Sequence, residues 1–235
     1  MVVSRGSKDL AEQLLTDRAA LDRGSTAERV ADILRGRITD GLFPPGRRLS
    51  EEELGGALGV SRNTLREAFR LLVHERLLVH ELNRGVFVRT LSTDDVVDLY
   101  RMRRLLECAA IRGAGEPPAA ALEQVRVAVE AAERAATEGD WLAVGSANMQ
   151  FHQAVVALSN SRRMIETARQ MLAELRVVFH VMSSYREFHE PYLHGNRKIY
   201  HLLAAGDNEG SAKALEEYLD AAERQLLDAY AAAGR

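Results

Sequence analysis

The stretch from Ser50 to Leu72 allows few folds: one amphipathic segment stops at Gly59, and another restarts two residues later at Ser61. Ser50 is placed to cap a helix with Glu53 three residues on, Leu54, Ala57 and Leu58 follow at helical spacing, and Gly59 supplies a left-handed stop. In Ser61-Arg62-Asn63-Thr64-Leu65-Arg66-Glu67-Ala68-Phe69-Arg70-Leu71-Leu72, the residues Leu65, Ala68, Phe69 and Leu72 share one face, which leaves Arg62, Asn63, Thr64 and Arg66 outside. Two short helices joined by a Gly turn make a helix-turn-helix, and the outward residues suit the major groove of DNA. Arg bonds guanine O6 and N7 together, Asn does the same on adenine, and Thr with the helix N-terminus holds phosphate. Any amphipathic helix can expose such residues, so the flanks decide.

Upstream, Ser25-Thr26-Ala27-Glu28 is a capping box, Val30, Ile33, Leu34 and Ile38 recur at helical spacing, and Asp40-Gly41 with Pro44-Pro45-Gly46 forces a turn. Downstream, Leu77-Leu78-Val79-His80 and Val86-Phe87-Val88 are short strand-like runs around Asn83-Arg84-Gly85, which predicts a β-hairpin. Such a hairpin is a wing: Arg84 and Gly85 at its tip lie over the backbone or minor groove, and Arg47 and Arg48 reach phosphates.

Taken together, Leu34-Arg35, Ile38, Gly41, Pro45-Gly46, Leu49, Glu53-Leu54, Leu58-Gly59-Val60-Ser61-Arg62, Arg66-Glu67-Ala68 and Gly85-x-Phe87-Val88 resemble the DNA-binding domain of the GntR family. The resemblance implies that Arg62 and Arg66 contact an operator. Thr64 stands where many members carry Pro, a change that alters the head of the recognition helix.

After a linker, Arg89-Thr90-Leu91, a capped start at Ser92-x-x-Asp95 opens a region that reads helical throughout. Residues 92–112, 118–138, 140–158, 161–186, 196–206 and 208–230 carry helix-period apolar positions, with breaks at Gly113-x-Gly115, Pro117-Pro118, Gly139-Asp140, Asn160, Pro191, Gly195 and Gly206-Asp207. The expected fold is therefore mainly α: a winged helix-turn-helix with a small β-hairpin, then an antiparallel bundle of about six helices. Three units follow: an arm at 1–24, the winged unit at 25–90 and the bundle at 91–235. Charge divides the same way, with eleven arginines against nine acids in 25–90 and sixteen basic against 21 acidic residues in 91–235.

The bundle resembles the FCD ligand-binding domain of the FadR subfamily. The likeness rests on Asp98-Leu99-Tyr100-x-x-Arg103-x-x-x-Glu107, Asn148-x-x-Phe151-His152, Ser159-Asn160-Ser161 and Leu202-Leu203-Ala204-Ala205-Gly206-Asp207. Many such domains hold a divalent metal with one Asp and three His, and the resemblance puts those ligands at Asn148, His152, Asn196 and Tyr218. One of the four survives. Asn lacks the anionic oxygen of Asp, and a phenol stays protonated near neutrality, so the expectation is an effector bound without a tightly held metal. The alternative is a weak divalent site built on His152 and His194. Arg103 either meets an effector carboxylate or pairs with Glu107 four residues on, and Arg176, set among Leu172, Leu175, Val177 and Phe179, is a further inward candidate.

No Gly-x-Ser-x-Gly elbow, phosphate loop, His-Glu-x-x-His or Cys-His pairing is present, which argues against an enzyme. The lone cysteine, Cys108, reads as a small core residue, and no apolar run is long enough to cross a bilayer. The sequence thus points to a cytoplasmic homodimer on a pseudo-palindromic DNA operator, switched by a small molecule and without a membrane partner. A non-specific architectural DNA protein is the remaining alternative, for which the charge is too weakly basic.

Overall fold

The computed structural model describes residues 25–39, 42–179, 182 and 184–233; the arm assigned to 1–24 lies outside them, as does the Asp40-Gly41 turn. Helix α1 (Thr26–Thr39) opens on the capping box, with Ser25 N donating to Glu28 Oε2 (2.7 Å) and Glu28 N to Ser25 Oγ (3.2 Å). It buries Val30, Ala31, Leu34 and Ile38, whereas Ile33 is left 48% exposed. Helix α2 (Glu51–Leu58) is capped by Ser50 and ends on Gly59 at φ 64°, and α3 (Arg62–His74) restarts on Ser61. Leu65, Ala68, Phe69 and Leu72 of α3 pack inward.

Strands β2 (Leu78–Glu81) and β3 (Gly85–Val88) make the hairpin, with Leu78 opposite Val88 and His80 opposite Val86. A third strand, β1 (Arg48–Leu49), joins the free edge of β3 through Arg48 opposite Phe87 and Leu49 opposite Val86. Two residues were too short a run to be read as a strand. Gly85 is required by its φ of 110°, and the Arg48 guanidinium packs over it, with Nε 3.2 Å from where a Cβ would stand.

The bundle begins with α4 (Thr93–Arg103), which runs through a π-helical turn (Arg104–Cys108) into α5 (Ala109–Arg112). Helices α6 (Ala119–Glu138), α7 (Trp141–Ala157), α8 (Arg162–Val178), α9 (Tyr185–Ala204) and α10 (Asn208–Ala232) complete it. Because α7 carries no Asp, Glu, Lys or Arg, it is apolar nearly all round and takes the central position, with ten buried residues.

Two of the sequence boundaries move. The helix expected over 161–186 stops at Val178, and the one expected over 196–206 starts at Tyr185, so Pro191 and Gly195 lie inside a helix instead of breaking it. Proline at 191 removes the amide that would bond the carbonyl of Glu187. Gln225 of α10 takes over that carbonyl through Nε2 (3.2 Å), while its Oε1 accepts from Tyr192 Oη (2.7 Å). Gly195 is small because the Tyr218 ring packs on it, with Cδ2 3.0 Å from where a Cβ would stand. Gln225→Ala is expected to cost about 1 kcal/mol in urea unfolding, with Tyr192 losing its hydroxyl partner; unchanged stability would show that the proline is tolerated without it.

Winged unit and bundle meet through the linker. The Arg89 guanidinium bonds both Glu174 of α8 and Asp95 at the start of α4, and Tyr230 Oη donates to the carbonyl of Leu91 (3.1 Å).

Candidate functional site

At the head of α3, Ser61 Oγ accepts from Thr64 N (3.1 Å) and lies 2.8 Å from Thr64 Oγ1, so the Thr64 hydroxyl is tied to the cap. Arg62 and Asn63 are exposed and make no side-chain hydrogen bond among the described residues. Arg66 sits 3.7 Å from Glu51 in an exposed pairing that solvent weakens. On the wing, Arg84 pairs with Glu81 and lies over the Phe87 ring (5.4 Å), while Arg47 and Arg48 are exposed beside it.

Inside the bundle, the π-turn sets Arg103 and Glu107 together at the core, 2% and 0% exposed. Arg103 Nε donates to Glu107 Oε1 (2.8 Å), and its guanidinium lies over the Tyr100 ring (4.9 Å). The other carboxylate oxygen meets His152 Nδ1 (2.7 Å). Burial pushes the Glu107 carboxyl up, but Arg103 and His152 outweigh it and hold the group below the usual carboxylate range. Burial lowers His152 and keeps it neutral. With Glu107 ionised, His152 carries its proton on Nδ1 and offers a lone pair at Nε2.

That lone pair faces Tyr218 Oη (3.3 Å), which also lies 3.0 Å from Asn148 Oδ1. Asn148 Oδ1 accepts in addition from Asn196 Nδ2 (2.7 Å). Burial pushes the Tyr218 phenol well above its usual range, so it brings one proton to two acceptors. Counting through the chain Arg103–Glu107–His152–Tyr218–Asn148–Asn196, two buried atoms have no partner: Arg103 Nη2, a donor, and Asn196 Oδ1, an acceptor.

The chain matches two known family models, the FCD domain over residues 98–221 and "Bacterial regulatory proteins, gntR family" over residues 26–88. It belongs to the GntR family. A D-xylose utilization operon transcriptional repressor of Paenarthrobacter nicotinovorans is 30% identical over 86% of this chain and 88% of its own length. An Nta operon transcriptional regulator of Aminobacter aminovorans is 32% identical over 65% and 73% of the two chains. The crystal structure of a GntR transcriptional regulator from Rhodococcus sp. RHA1 superposes with a TM-score of 0.82 at 47% identity, covering 87% of this chain and 98% of that one. The protein is thus a transcriptional regulator and not an enzyme: its GntR domain binds DNA and its FCD domain binds a small-molecule effector. Among the described residues no helix is long and apolar enough to cross a membrane.

In this GntR regulator the positions at which the resemblance implies metal ligands do converge, but the donor set does not fit a divalent cation. Both Glu107 oxygens are spent on Arg103 and His152, Asn148 Oδ1 already accepts two bonds, and the Tyr218 hydroxyl lies where His152 Nε2 points. No group of three or more His, Cys, Asp or Glu is arranged to hold a metal among the described residues. The alternative pairing of His152 with His194 is corrected: His194 is exposed, because two residues along a helix turn it well away from the buried Asn196, while His152 is fully buried. Arg176 is half-buried and gives Nη2 to Ser146 Oγ (2.8 Å), outside the Arg103 chain. Sequence reasoning treated Glu107 only as a partner for Arg103 and missed that it also orients His152. It passed over His189 as well, which is 1% exposed. The spacing Gly145-x-x-Asn148 on an uncharged helix was the available signal for the latter.

Proposed function

We propose that this regulator's operator affinity is set by an organic acid bound in the helical domain at Arg103, Asn148, His152, Asn196 and Tyr218, without a tightly held metal. Arg176 flanks this site. The observation that carries the reading is Arg103: a fully buried guanidinium whose Nη2 has no partner, beside a cluster of buried polar side chains. A donor left bare in the interior costs free energy, and an incoming carboxylate supplies the missing acceptor. The relative named for a D-xylose utilization operon is consistent with a regulator of carbon metabolism.

On this reading the chain is organised as an arm (1–24), a winged unit (25–90) and a bundle (91–235), works in the cytoplasm, and pairs as a homodimer on a pseudo-palindromic operator. Ser61, Arg62, Asn63, Thr64 and Arg66 enter the major groove, and Arg47, Arg48, Arg84 and Gly85 follow the backbone and minor groove. Effector acts by binding the DNA-competent and incompetent states with different affinity. The Arg89 bridge to Glu174 carries a shift of α8 to the wing. Arg62→Ala is expected to weaken operator binding by about 1–3 kcal/mol, roughly 5- to 150-fold, with base preference relaxed at one position of each half-site. Fluorescence anisotropy on operator variants reads both, and an unchanged preference overturns the recognition-helix assignment.

A further inference from the structure

We infer that His189 is a second anchor for the effector, gripping the distal hydroxyl of an extended hydroxy acid whose carboxylate lies at Arg103. The inference rests on the effector reading above and adds a residue and a ligand length to it. His189 is 1% exposed, and neither Nδ1 nor Nε2 has a hydrogen-bond partner. It stands seven residues before Asn196 on α9, two turns along one face and about 10.5 Å along the axis. Asn196 Oδ1 is itself bare, so one face of one helix presents two unmet polar needs in line.

The opposite wall repeats this arrangement. On α7, Asn148 faces Asn196, and Gly145, one turn earlier, faces His189: a Cβ at Gly145 would lie 2.8 Å from His189 Nε2. Only glycine leaves room for the ring. Phe179 (5.3 Å, 83°) and Phe188 (4.9 Å, 80°) hold it edge to face, and Tyr185 stacks at 6.3 Å. Burial, with the charge of Arg176 nearby, keeps the imidazole neutral, with an N–H at one ring nitrogen and a lone pair at the other; Nε2 packs on Gly145, and a hydroxyl, which both donates and accepts, can meet the nitrogen on the other edge. The unmet list then reads as a ligand: an acceptor for Arg103, a hydroxyl proton for Asn196, and a more distant hydroxyl for His189.

Isothermal titration of the full-length protein with glycolate and D-gluconate, a short and a long hydroxy acid, tests this. D-gluconate is expected to bind the wild type more tightly than glycolate. His189→Phe, which keeps an aromatic ring in the same box, and Gly145→Ala, which displaces the imidazole, should each weaken D-gluconate roughly 5- to 10-fold and leave glycolate unchanged. His189→Gln should recover part of the loss, and Arg103→Gln, compared at a temperature where circular dichroism shows it folded, should abolish binding of both acids. If Arg103→Gln abolishes both while His189→Phe and Gly145→Ala weaken neither acid, or both equally, His189 is no anchor and the effector reading stands. If neither acid binds the wild type, or Arg103→Gln binds both as well as the wild type does, the effector reading fails and takes the inference with it.

Discussion

Glu107→Leu is expected to destabilise the fold by about 3–5 kcal/mol, the cost of leaving a buried charge without its partner. Arg103 and Glu107 are both fully enclosed, and among the described residues Glu107 supplies the only carboxylate that touches Arg103. Removing it leaves the guanidinium with an aromatic face and little else, and takes the Nδ1 partner from His152 as well. For a chain of this length the melting temperature should fall by roughly 6–20 °C. The double variant Arg103→Met/Glu107→Leu should recover most of the loss, because replacing a whole buried pair by apolar side chains of similar size is close to neutral. Thermal unfolding of the two variants separates a broken pair from a general cavity effect, and a Glu107→Leu protein that melts with the wild type would show that the pair is not buried in solution.

The parts of the molecule that local chemistry determines were legible in the sequence. Ser50 with Glu53, Ser61, and Ser92 with Asp95 each cap a helix where their hydroxyls or carboxylates predict, and Gly59 ends α2 in the left-handed region. The polar positions in the bundle came from the resemblance to the FCD domain, which singles out Asn148, His152, Asn196 and Tyr218, and the structure brings these four together. What stayed hidden depends on partners distant in the chain. Pro191 reads as a break until Gln225 is known to satisfy the carbonyl it frees, and β1 is only two residues that borrow their pairing from β3. His189 falls between the helices expected over 161–186 and 196–206, where it reads as an exposed loop residue. Its burial depends on Gly145, 44 positions earlier, leaving the space a side chain would fill.

That burial predicts an acid sensitivity traceable to one ring. Desolvation, aided by the charge of Arg176, lowers the His189 imidazole from 6.5 to about 4. A base whose folded-state pKa lies below its unfolded value binds its proton more readily when unfolded. Its contribution is therefore complete above about pH 6.5 and is lost as pH falls toward 4. The difference corresponds to roughly 3 kcal/mol at 1.36 kcal/mol for each pH unit. His189→Phe keeps the packing against Phe179 and Phe188 and removes the titration. Urea unfolding at a series of pH values is thus expected to show the wild type losing about 3 kcal/mol more than His189→Phe between pH 7 and pH 4. Carboxylates that protonate in the same range do so in both proteins and cancel in the comparison. Parallel stability curves would mean that His189 reaches water or a proton donor in the folded state, and its two nitrogens would then no longer stand as unmet needs in the interior.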